Sequence, residues 1–164
     1  MNPSEDELAH LAEQVGAALK ARGLLLATAE SCTGGWVGEA VTAVPGSSHW
    51  YERGFITYTN EAKQEMLGVS SDTLAQFGAV SEQTVREMVA GALEHSHAQV
   101  ALAISGIAGP GGATPLKPVG TVCLAWGVGG VIETDILHFE GDRRAVRGQA
   151  VQVALRGLLD RLNG

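Results

Sequence analysis

The sequence predicts an α/β protein, a three-layer α/β/α sandwich around a mixed, mostly parallel sheet. Residues 24–28 and 100–104 are short, nearly continuous apolar runs, which are typical of strands covered on both faces. Segments with apolar residues at helical spacing stand between such runs. A glycine cluster at 127–130 separates two further apolar segments, which favours one antiparallel hairpin. A length of 164 residues suits a single domain over 1–164 with its own core.

The first third of the chain predicts three helices and two strands. Ser4-Glu5-Asp6-Glu7 is a capping-box pattern, so we expect a helix to begin there and to stop at Gly23. A strand over 24–28 follows, then a turn over 29–35 and a helix from about 34 to 44. Aromatic and β-branched residues predict a strand over 51–58, and Asn60 is the expected N-cap of a short helix over 61–67.

The remaining elements follow from the same signals. We expect a short helix over 71–77 and a longer one capped by Ser81. The buried strand over 100–104 leads into a long glycine-rich loop over 105–118. Strands over 119–126 and 131–139 would form the hairpin, and a helix over 143–162 would complete the fold.

Three of the predicted loops follow strands: 29–35, 58–63 and 105–118. Ligands in α/β folds bind at the carboxyl ends of strands, so we expect these loops to form the site. The first loop carries hydroxyls, a thiol and glycines before a helix start, where free N–H groups can bind an anion or a developing oxyanion. The alternative is an ordinary strand-to-helix turn capped by Ser31 or Thr33.

Composition excludes several classes of function. The formal net charge is −7 and no Lys/Arg-rich run occurs, so we expect no nucleic-acid partner. The sequence has no apolar stretch of membrane-spanning length and no signal-peptide pattern. Two cysteines do not make a disulfide framework. We therefore expect a cytoplasmic protein without a membrane partner, and without a metal or cofactor because no Cys/His/carboxylate group has ligand-like spacing.

A series of motifs resembles the CinA C-terminal domain family, the nicotinamide-nucleotide amidases. The blocks, which run in order along nearly the whole chain from residue 8, are Ala29-Glu30-Ser31-Cys32-Thr33-Gly34-Gly35, residues 54–58 with Asn60-Glu61-Ala62-Lys63, Leu67-Gly68-Val69, Gly78-Ala79-Val80-Ser81, residues 105–112, residues 117–122, and Phe139 with Gly141-Asp142-Arg143.

The resemblance implies hydrolysis of the carboxamide of nicotinamide mononucleotide to nicotinate mononucleotide and ammonia, in pyridine-nucleotide recycling. Family members occur alone or behind a second domain, and this chain resembles the stand-alone form. The resemblance also implies a homodimer or a larger homo-oligomer. A different class of function, a non-catalytic nucleotide- or phosphate-binding regulatory module, would use the same cleft without turnover.

Amide hydrolysis requires a nucleophile, a base and an oxyanion site. Ser31 is the predicted nucleophile, although the neighbouring Cys32 thiol at a helix start is an alternative. No histidine lies in a motif that could serve as base, whereas Lys63 matches the lysine of the family's Tyr58-x-Asn60-x-x-Lys63 block. A lysine base must be partly neutral, hence buried or near a cation. The alternative for Lys63 is an ordinary solvated lysine of a short helix. Tyr58 would relay a proton or orient the lysine, or else pack in the core.

Substrate binding is assigned to glycines, hydroxyls and arginines. The oxyanion would meet backbone N–H groups around Thr33, Gly34 and Gly35. The glycine-rich loop would enclose the ribose phosphate or the pyridine ring through Gly106, Ala108, Gly109, Gly111, Gly112 and Thr114. Arg143, in the family's Gly-Asp-Arg block, would bind phosphate or tune the catalytic pair, with Arg147 one helical turn away. We expect Arg144 to be part of a surface charge cluster.

Overall fold

The computed structural model describes residues 2–164 as one five-stranded sheet with six α-helices. The strands are β1 (Leu26–Glu30), β2 (Tyr51–Ile56), β3 (Val100–Gly106), β4 (Thr121–Val128) and β5 (Val131–His138). The helices are α1 (Glu5–Ala21), α2 (Trp36–Thr42), α3 (Asn60–Leu67), α4 (Ser71–Phe77), α5 (Glu82–Glu94) and α6 (Arg143–Asn163), and a short 3₁₀ turn (Ser47–His49) precedes β2.

The sheet is mixed, as predicted. Its strand order is β2-β1-β3-β4-β5, with β1 parallel to both β2 and β3. The two remaining pairings, β3 with β4 and β4 with β5, are antiparallel. Four strands therefore run in one direction and β4 alone is reversed. The carboxyl ends of β1, β2 and β3 meet at one edge of the sheet, where a ligand site is expected.

Helices cover both faces of the sheet and produce the three predicted layers. Helices α1, α2 and α6 pack on one face around Leu19, Val37 and Leu155, together with inward side chains of the strands. Helices α3, α4 and α5 pack on the other face around Leu67, Met88 and Val89. Within residues 2–164, no helix is both long enough and apolar enough to span a membrane.

Local capping determines where most helices begin. The Ser4–Glu7 capping box is present at the start of α1, and Ser81 caps α5 by accepting the Thr84 N–H. The prediction for α3 was wrong by one residue, because Thr59 rather than Asn60 is its N-cap. The Thr59 hydroxyl accepts the Ala62 N–H at 3.0 Å, so the β-branched residue performs the expected role.

Strand β1 begins and ends two residues later than the apolar run predicts. Leu26 to Glu30 pair with β2 on one side and β3 on the other, whereas Leu24 is only half-buried. The apolar run gave the wrong end for β1 because the charged residue Glu30 pairs with both neighbouring strands and belongs to β1. A charged side chain can be buried where hydrogen-bonding partners compensate its charge. Hydrophobicity alone therefore does not locate the end of such a strand.

Candidate active site

A cavity of about 250 Å³ opens at the carboxyl ends of β1, β2 and β3. All three predicted loops contribute to it. Its lining consists of Ser31, Cys32, Tyr58, Lys63, Ala79, Val80, Ser105, Gly106, Ala108 and Arg143. This volume is below the range of about 300–1,000 Å³ for pockets that enclose drug-sized ligands, so it suits an aromatic ring with its substituent rather than a whole nucleotide.

Ser31 lies directly after β1, at the floor of the cavity. Its backbone N–H donates to the Ile104 carbonyl at 3.0 Å, which continues the pairing of β1 with β3 by one residue. Its hydroxyl oxygen lies 2.9 Å from the Lys63 Nζ and 3.4 Å from the Tyr58 carbonyl. Parallel pairing of β1 with β2 brings these residues together, although 32 positions separate Ser31 from Lys63.

Lys63 is almost completely buried, with 1% of its surface exposed. Its Nζ also contacts the carbonyl oxygens of Thr57 at 2.9 Å and Tyr58 at 3.2 Å. No carboxylate lies within salt-bridge distance of it among residues 2–164. Burial lowers the pKa of the Lys63 amine from its usual 10.5 to about 8, and Cys32 opposes this shift in part. The amine is therefore partly neutral near physiological pH.

Tyr58 and Arg143 stand together at the mouth of the cavity. Tyr58 has 59% of its surface exposed, so the alternative of a core aromatic is wrong. Its hydroxyl accepts a hydrogen bond from Arg143 Nη2 at 3.1 Å, and Arg143 Nη1 donates to the Gly109 carbonyl at 2.8 Å. Arg143, the first residue of α6, thus joins the second loop to the glycine-rich loop.

Cys32 lines the cavity beside Ser31, but its environment disfavours the thiolate. Burial raises the pKa of the Cys32 thiol to about 11, although Arg147 lowers it in part. A thiol with this pKa is protonated at neutral pH and is a poor nucleophile. The geometry therefore favours Ser31, whose hydroxyl already contacts an amine, over the neighbouring thiol.

The turn after Ser31 differs in detail from the prediction. Thr33 is buried and donates its hydroxyl proton to Glu30 at 2.6 Å, and the Gly34 N–H donates to the Ser31 carbonyl at 3.0 Å. Gly35, at φ 104°, is the residue before α2. None of Thr33, Gly34 and Gly35 belongs to the described lining of the cavity. Neither Ser31 nor Thr33 caps α2, so that alternative is wrong as well.

The glycine-rich loop reaches the cavity only through its first residues. Gly106 and Ala108 line it, and Gly109 contributes the carbonyl that accepts from Arg143. Gly111, Gly112 and Thr114 are exposed and lie outside the described lining. The Thr114 hydroxyl instead accepts the Lys117 N–H at 3.1 Å within the loop. Gly111, Gly112 and Thr114 are therefore not in position to contact a ligand bound in this cavity.

Arg147 is also placed differently from the prediction. It points to the back of the Ser31 turn, where Nε donates to the Cys32 carbonyl at 2.9 Å and Nη2 to the Thr33 carbonyl at 3.1 Å. Arg144 packs over the Trp36 ring at 4.6 Å and lies on the surface, as expected. Arg143 at the cavity mouth and Arg147 behind the nucleophile are therefore one helical turn of α6 apart.

Sequence reasoning missed two buried polar residues of the site. Ser105 is buried at the end of β3 and lines the cavity, and Glu30 is buried at the end of β1. The available signal was a polar side chain at the carboxyl end of a buried strand, a position that faces ligands in α/β folds. Among residues 2–164, no group of three or more His, Cys, Asp or Glu side chains is arranged to hold a metal ion.

Comparison with known proteins provides independent evidence on the family of this chain. The family model described as CinA C-terminal domain matches residues 8–162. The nicotinamide-nucleotide amidohydrolase PncC of Escherichia coli (strain K12) is 54% identical over 158 residues, covering 94% of each chain. The protein of the same name from Pseudomonas putida is 50% identical and covers 94% of this chain and 96% of its own.

Solved structures with the same fold are also similar in sequence. The competence/damage inducible protein CihA from Agrobacterium tumefaciens has a TM-score of 0.93 and 43% identity, covering 100% of this chain and 99% of that one. A competence-damaged protein (CinA) superfamily protein from Escherichia coli has a TM-score of 0.93 and 39% identity, covering 98% and 94%. The three-layer fold is therefore confirmed.

Proposed function

The chain belongs to the CinA C-terminal domain family, and we propose that it hydrolyses the carboxamide of nicotinamide mononucleotide to nicotinate mononucleotide and ammonia. The observation that carries this proposal is the buried contact of 2.9 Å between the Ser31 hydroxyl and the Lys63 amine inside the cavity. The names of the relatives at 50% and 54% identity support the same reaction and the same class of substrate.

Lys63 acts as the base because its surroundings keep the amine partly neutral and direct its lone pair. A neutral amine has two N–H bonds and one lone pair. The carbonyl oxygens of Thr57 and Tyr58 accept hydrogen bonds from the two N–H groups. The lone pair then faces the Ser31 hydroxyl oxygen, which lies 2.9 Å from the Lys63 Nζ. Carbonyl acceptors suit this role because they orient the amine without the full charge of a carboxylate, which would raise its pKa.

The reaction then proceeds in two stages. Lys63 takes the Ser31 proton while the hydroxyl oxygen attacks the carboxamide carbon, which forms a tetrahedral oxyanion. The lysine ammonium returns that proton to the nitrogen, which leaves as ammonia, and an ester to Ser31 remains. Lys63 next takes a proton from water, whose oxygen attacks the ester. The acid is released and Ser31 regains its proton from Lys63.

The oxyanion meets the backbone N–H of Cys32, the residue after the nucleophile, as in other strand-to-helix nucleophile turns. Three features support this donor. Cys32 lines the cavity, its N–H donates to no backbone carbonyl among residues 2–164, and the Ser31 carbonyl of the same peptide accepts from the Gly34 N–H. The predicted donors Gly34 and Gly35 are less suitable, because neither belongs to the described lining of the cavity and the Gly34 N–H already donates to the Ser31 carbonyl.

Arg143 binds the substrate phosphate at the mouth of the cavity, and Tyr58 orients it. Burial alone accounts for the lowered pKa of Lys63, so Arg143 is not required for tuning the catalytic pair. The cavity accommodates the pyridine ring and its carboxamide, which places ribose and phosphate outward toward the exposed Arg143. Its contacts with Tyr58 and Gly109 hold the guanidinium at that position.

The proposal includes a cytoplasmic location and a homodimer. Both cysteines are free thiols, as is usual in a reducing compartment. The exposed apolar side chains of Val131 and Ile136 on the edge strand β5 support an interface between two copies. Light scattering of the purified protein would test the dimer directly.

Two substitutions test the mechanism, with ammonia release from nicotinamide mononucleotide as the assay. Loss of a nucleophile typically lowers kcat by more than about a thousandfold, and loss of a general base by about 10² to 10⁴-fold. We therefore expect such losses in Ser31→Ala and Lys63→Ala. The exposed residues Ser48 and Lys20 provide matched controls, Ser48→Ala and Lys20→Ala, which should retain full activity. Wild-type turnover in either active-site variant would remove that residue from the mechanism.

A further inference from the structure

Two charged side chains outside the cavity hold the turn that carries Ser31. Glu30, with 2% of its surface exposed, accepts three hydrogen bonds. They come from the Thr33 hydroxyl at 2.6 Å, the Val37 N–H at 2.9 Å and the Gly38 N–H at 3.1 Å. One carboxylate thereby ties the end of β1 to the turn and to the first residues of α2. A buried carboxylate with all its contacts satisfied fixes the geometry of its donors.

Arg147 holds the same turn from the opposite side. Its guanidinium donates from Nε to the Cys32 carbonyl and from Nη2 to the Thr33 carbonyl, at 2.9 and 3.1 Å. The rigid fork of a guanidinium fixes two acceptors at once, which a lysine ammonium does not do in the same geometry. Arg147 also lies 5.5 Å from the centre of the Trp36 ring, which limits movement of its side chain.

These contacts determine where the N–H groups of the turn point. A trans peptide is planar, so its N–H is directed away from its own carbonyl. The Ser31 carbonyl accepts from Gly34 and the Cys32 carbonyl from Arg147. The N–H groups of Cys32 and Thr33 must therefore point away from these partners. Neither N–H donates to a backbone carbonyl among residues 2–164.

We propose that Arg147 and Glu30 are positioning residues for the reaction: they act through the turn at residues 31–35, which they hold so that the Ser31 hydroxyl and the Cys32 N–H keep their places. This inference rests on the proposed function of the site. Neither residue belongs to the described lining of the cavity, so neither lies against the ring and carboxamide that the cavity is proposed to hold. Arg147 thereby has a role distinct from that of Arg143, which faces the ligand.

The two arginines should consequently differ in which kinetic constant they affect. An interaction that only positions the reacting groups lowers kcat with little effect on KM, whereas loss of a ligand contact raises KM. A displacement of about 1 Å at a reacting centre can lower the rate by about 10²-fold. We expect Arg147→Gln to lower kcat between about 10-fold and 100-fold with KM within about threefold of wild type. Arg143→Gln should mainly raise KM.

Arg144→Gln is the matched control. Arg144 lies on the same helix, contacts the same Trp36 ring at 4.6 Å and carries the same charge, but it has no hydrogen bond to the turn. Its substitution changes the net charge equally and should leave kcat at the wild-type value. Equal losses in Arg144→Gln and Arg147→Gln would overturn the positioning role, because a general effect of charge would then explain both.

Three further measurements separate positioning from electrostatics and from misfolding. The apparent pKa of kcat/KM should stay unchanged in Arg147→Gln, because the lowered pKa of Lys63 comes from burial. Arg147→Lys keeps the charge but not the fork, so its kcat should lie between those of wild type and Arg147→Gln. Full activity of Arg147→Lys would overturn the proposal. Thermal unfolding followed by circular dichroism verifies that each variant is folded at the assay temperature.

Glu30→Gln provides a second variant of the same size. Its amide replaces one acceptor oxygen by a donor facing the N–H groups of α2, so we expect kcat to fall in the same manner, with KM nearly unchanged. Glu39→Gln, on the exposed side of α2, is the control. A wild-type kcat in folded Glu30→Gln would remove Glu30 from the proposal.

The labelling rate of Ser31 by a fluorophosphonate, measured by intact mass, tests the inference apart from the proposed substrate. The rate should fall at least about tenfold in Arg147→Gln and stay unchanged in Arg144→Gln. Labelling of Arg147→Gln at the wild-type rate would overturn the inference even if ammonia is released. Conversely, absence of ammonia release by the wild-type protein would defeat the proposed function, while the labelling rates would still decide the role of Arg147.

Discussion

Raising the pH from 7 to 9 should increase kcat/KM for nicotinamide mononucleotide about tenfold, because Lys63 acts in its neutral form. Burial lowers the pKa of this amine to about 8. The Henderson–Hasselbalch relation then gives a neutral fraction of about one tenth at pH 7, one half at pH 8 and nine tenths at pH 9. The profile should rise with a slope near one below pH 8 and level off above it.

The sign follows from the protonation state that the reaction needs. A base must lose its proton before it can accept one from Ser31, so activity increases with pH through the pKa of the free enzyme's base. The assay is initial-rate ammonia release at substrate concentrations well below KM, between pH 7 and 9.5. This range stays above the second pKa of a phosphate monoester, which is about 6. A profile that is flat or falls between pH 7 and 9 would refute the assignment of Lys63 as base.

A variant can shift this profile in a known direction. Val80 lines the same cavity as Lys63, so Val80→Asp introduces a carboxylate that should raise the pKa of the amine by about 1 unit or more if it lies within about 6 Å. The rising limb would then move to higher pH. Val80→Asn has nearly the same size without the charge and should leave the limb in place. If the pH profiles of kcat/KM for wild type and Val80→Asp rise at the same pH while Lys63→Ala is inactive, the buried-amine mechanism is contradicted.

Three further predictions concern the thiol, the packing of α3 and metal dependence. Cys32→Ala should keep kcat/KM within about fivefold of wild type, because a thiol with a pKa of about 11 is protonated at neutral pH; a loss as large as that of Ser31→Ala would contradict this. Gly91→Ala should lower the free energy of unfolding by about 1 to 3 kcal/mol in urea denaturation, since a Cβ at Gly91 would lie 1.9 Å from the Leu67 carbonyl oxygen. Gly111→Ala, with no atom within 4 Å of the added Cβ, is its control and should stay within about 0.5 kcal/mol of wild type. Exhaustive chelation should leave ammonia release unchanged, because the buried amine supplies the base; activity that is lost and then restored by a divalent ion would refute this.

Local signals in the sequence were sufficient for the order and type of the elements. The capping box at Ser4 and the cap at Ser81 are present where the residue pattern indicated, because caps depend on residues only two or three positions apart. The apolar run at 100–104 forms the first five residues of the buried strand β3. The family resemblance, carried by blocks of sequence, agrees with the match to the CinA C-terminal domain over residues 8–162.

The chemical state of the site depended on tertiary structure. By sequence alone, Lys63 could have been an ordinary solvated lysine of a short helix, and Tyr58 a core aromatic. Parallel pairing of β1 with β2 buries the amine beside Ser31 and leaves the tyrosine exposed at the cavity mouth. The lowered pKa of Lys63 is a consequence of burial, which no local pattern specifies.

The different roles of Arg143 and Arg147 show the same division. Their spacing predicted that both point the same way, and both do lie on the side of α6 toward the site. The helix begins at the cavity mouth, so Arg143 reaches Tyr58 while Arg147, one turn later, reaches the back of the Ser31 turn. Sequence therefore determined which residues were available and which local elements they form. Only the packing of α6 against α1, α2, β3 and β4 decided which arginine faces a ligand and which holds the nucleophile turn, because hydrogen bonds depend on distances of a few ångströms between segments far apart in the chain.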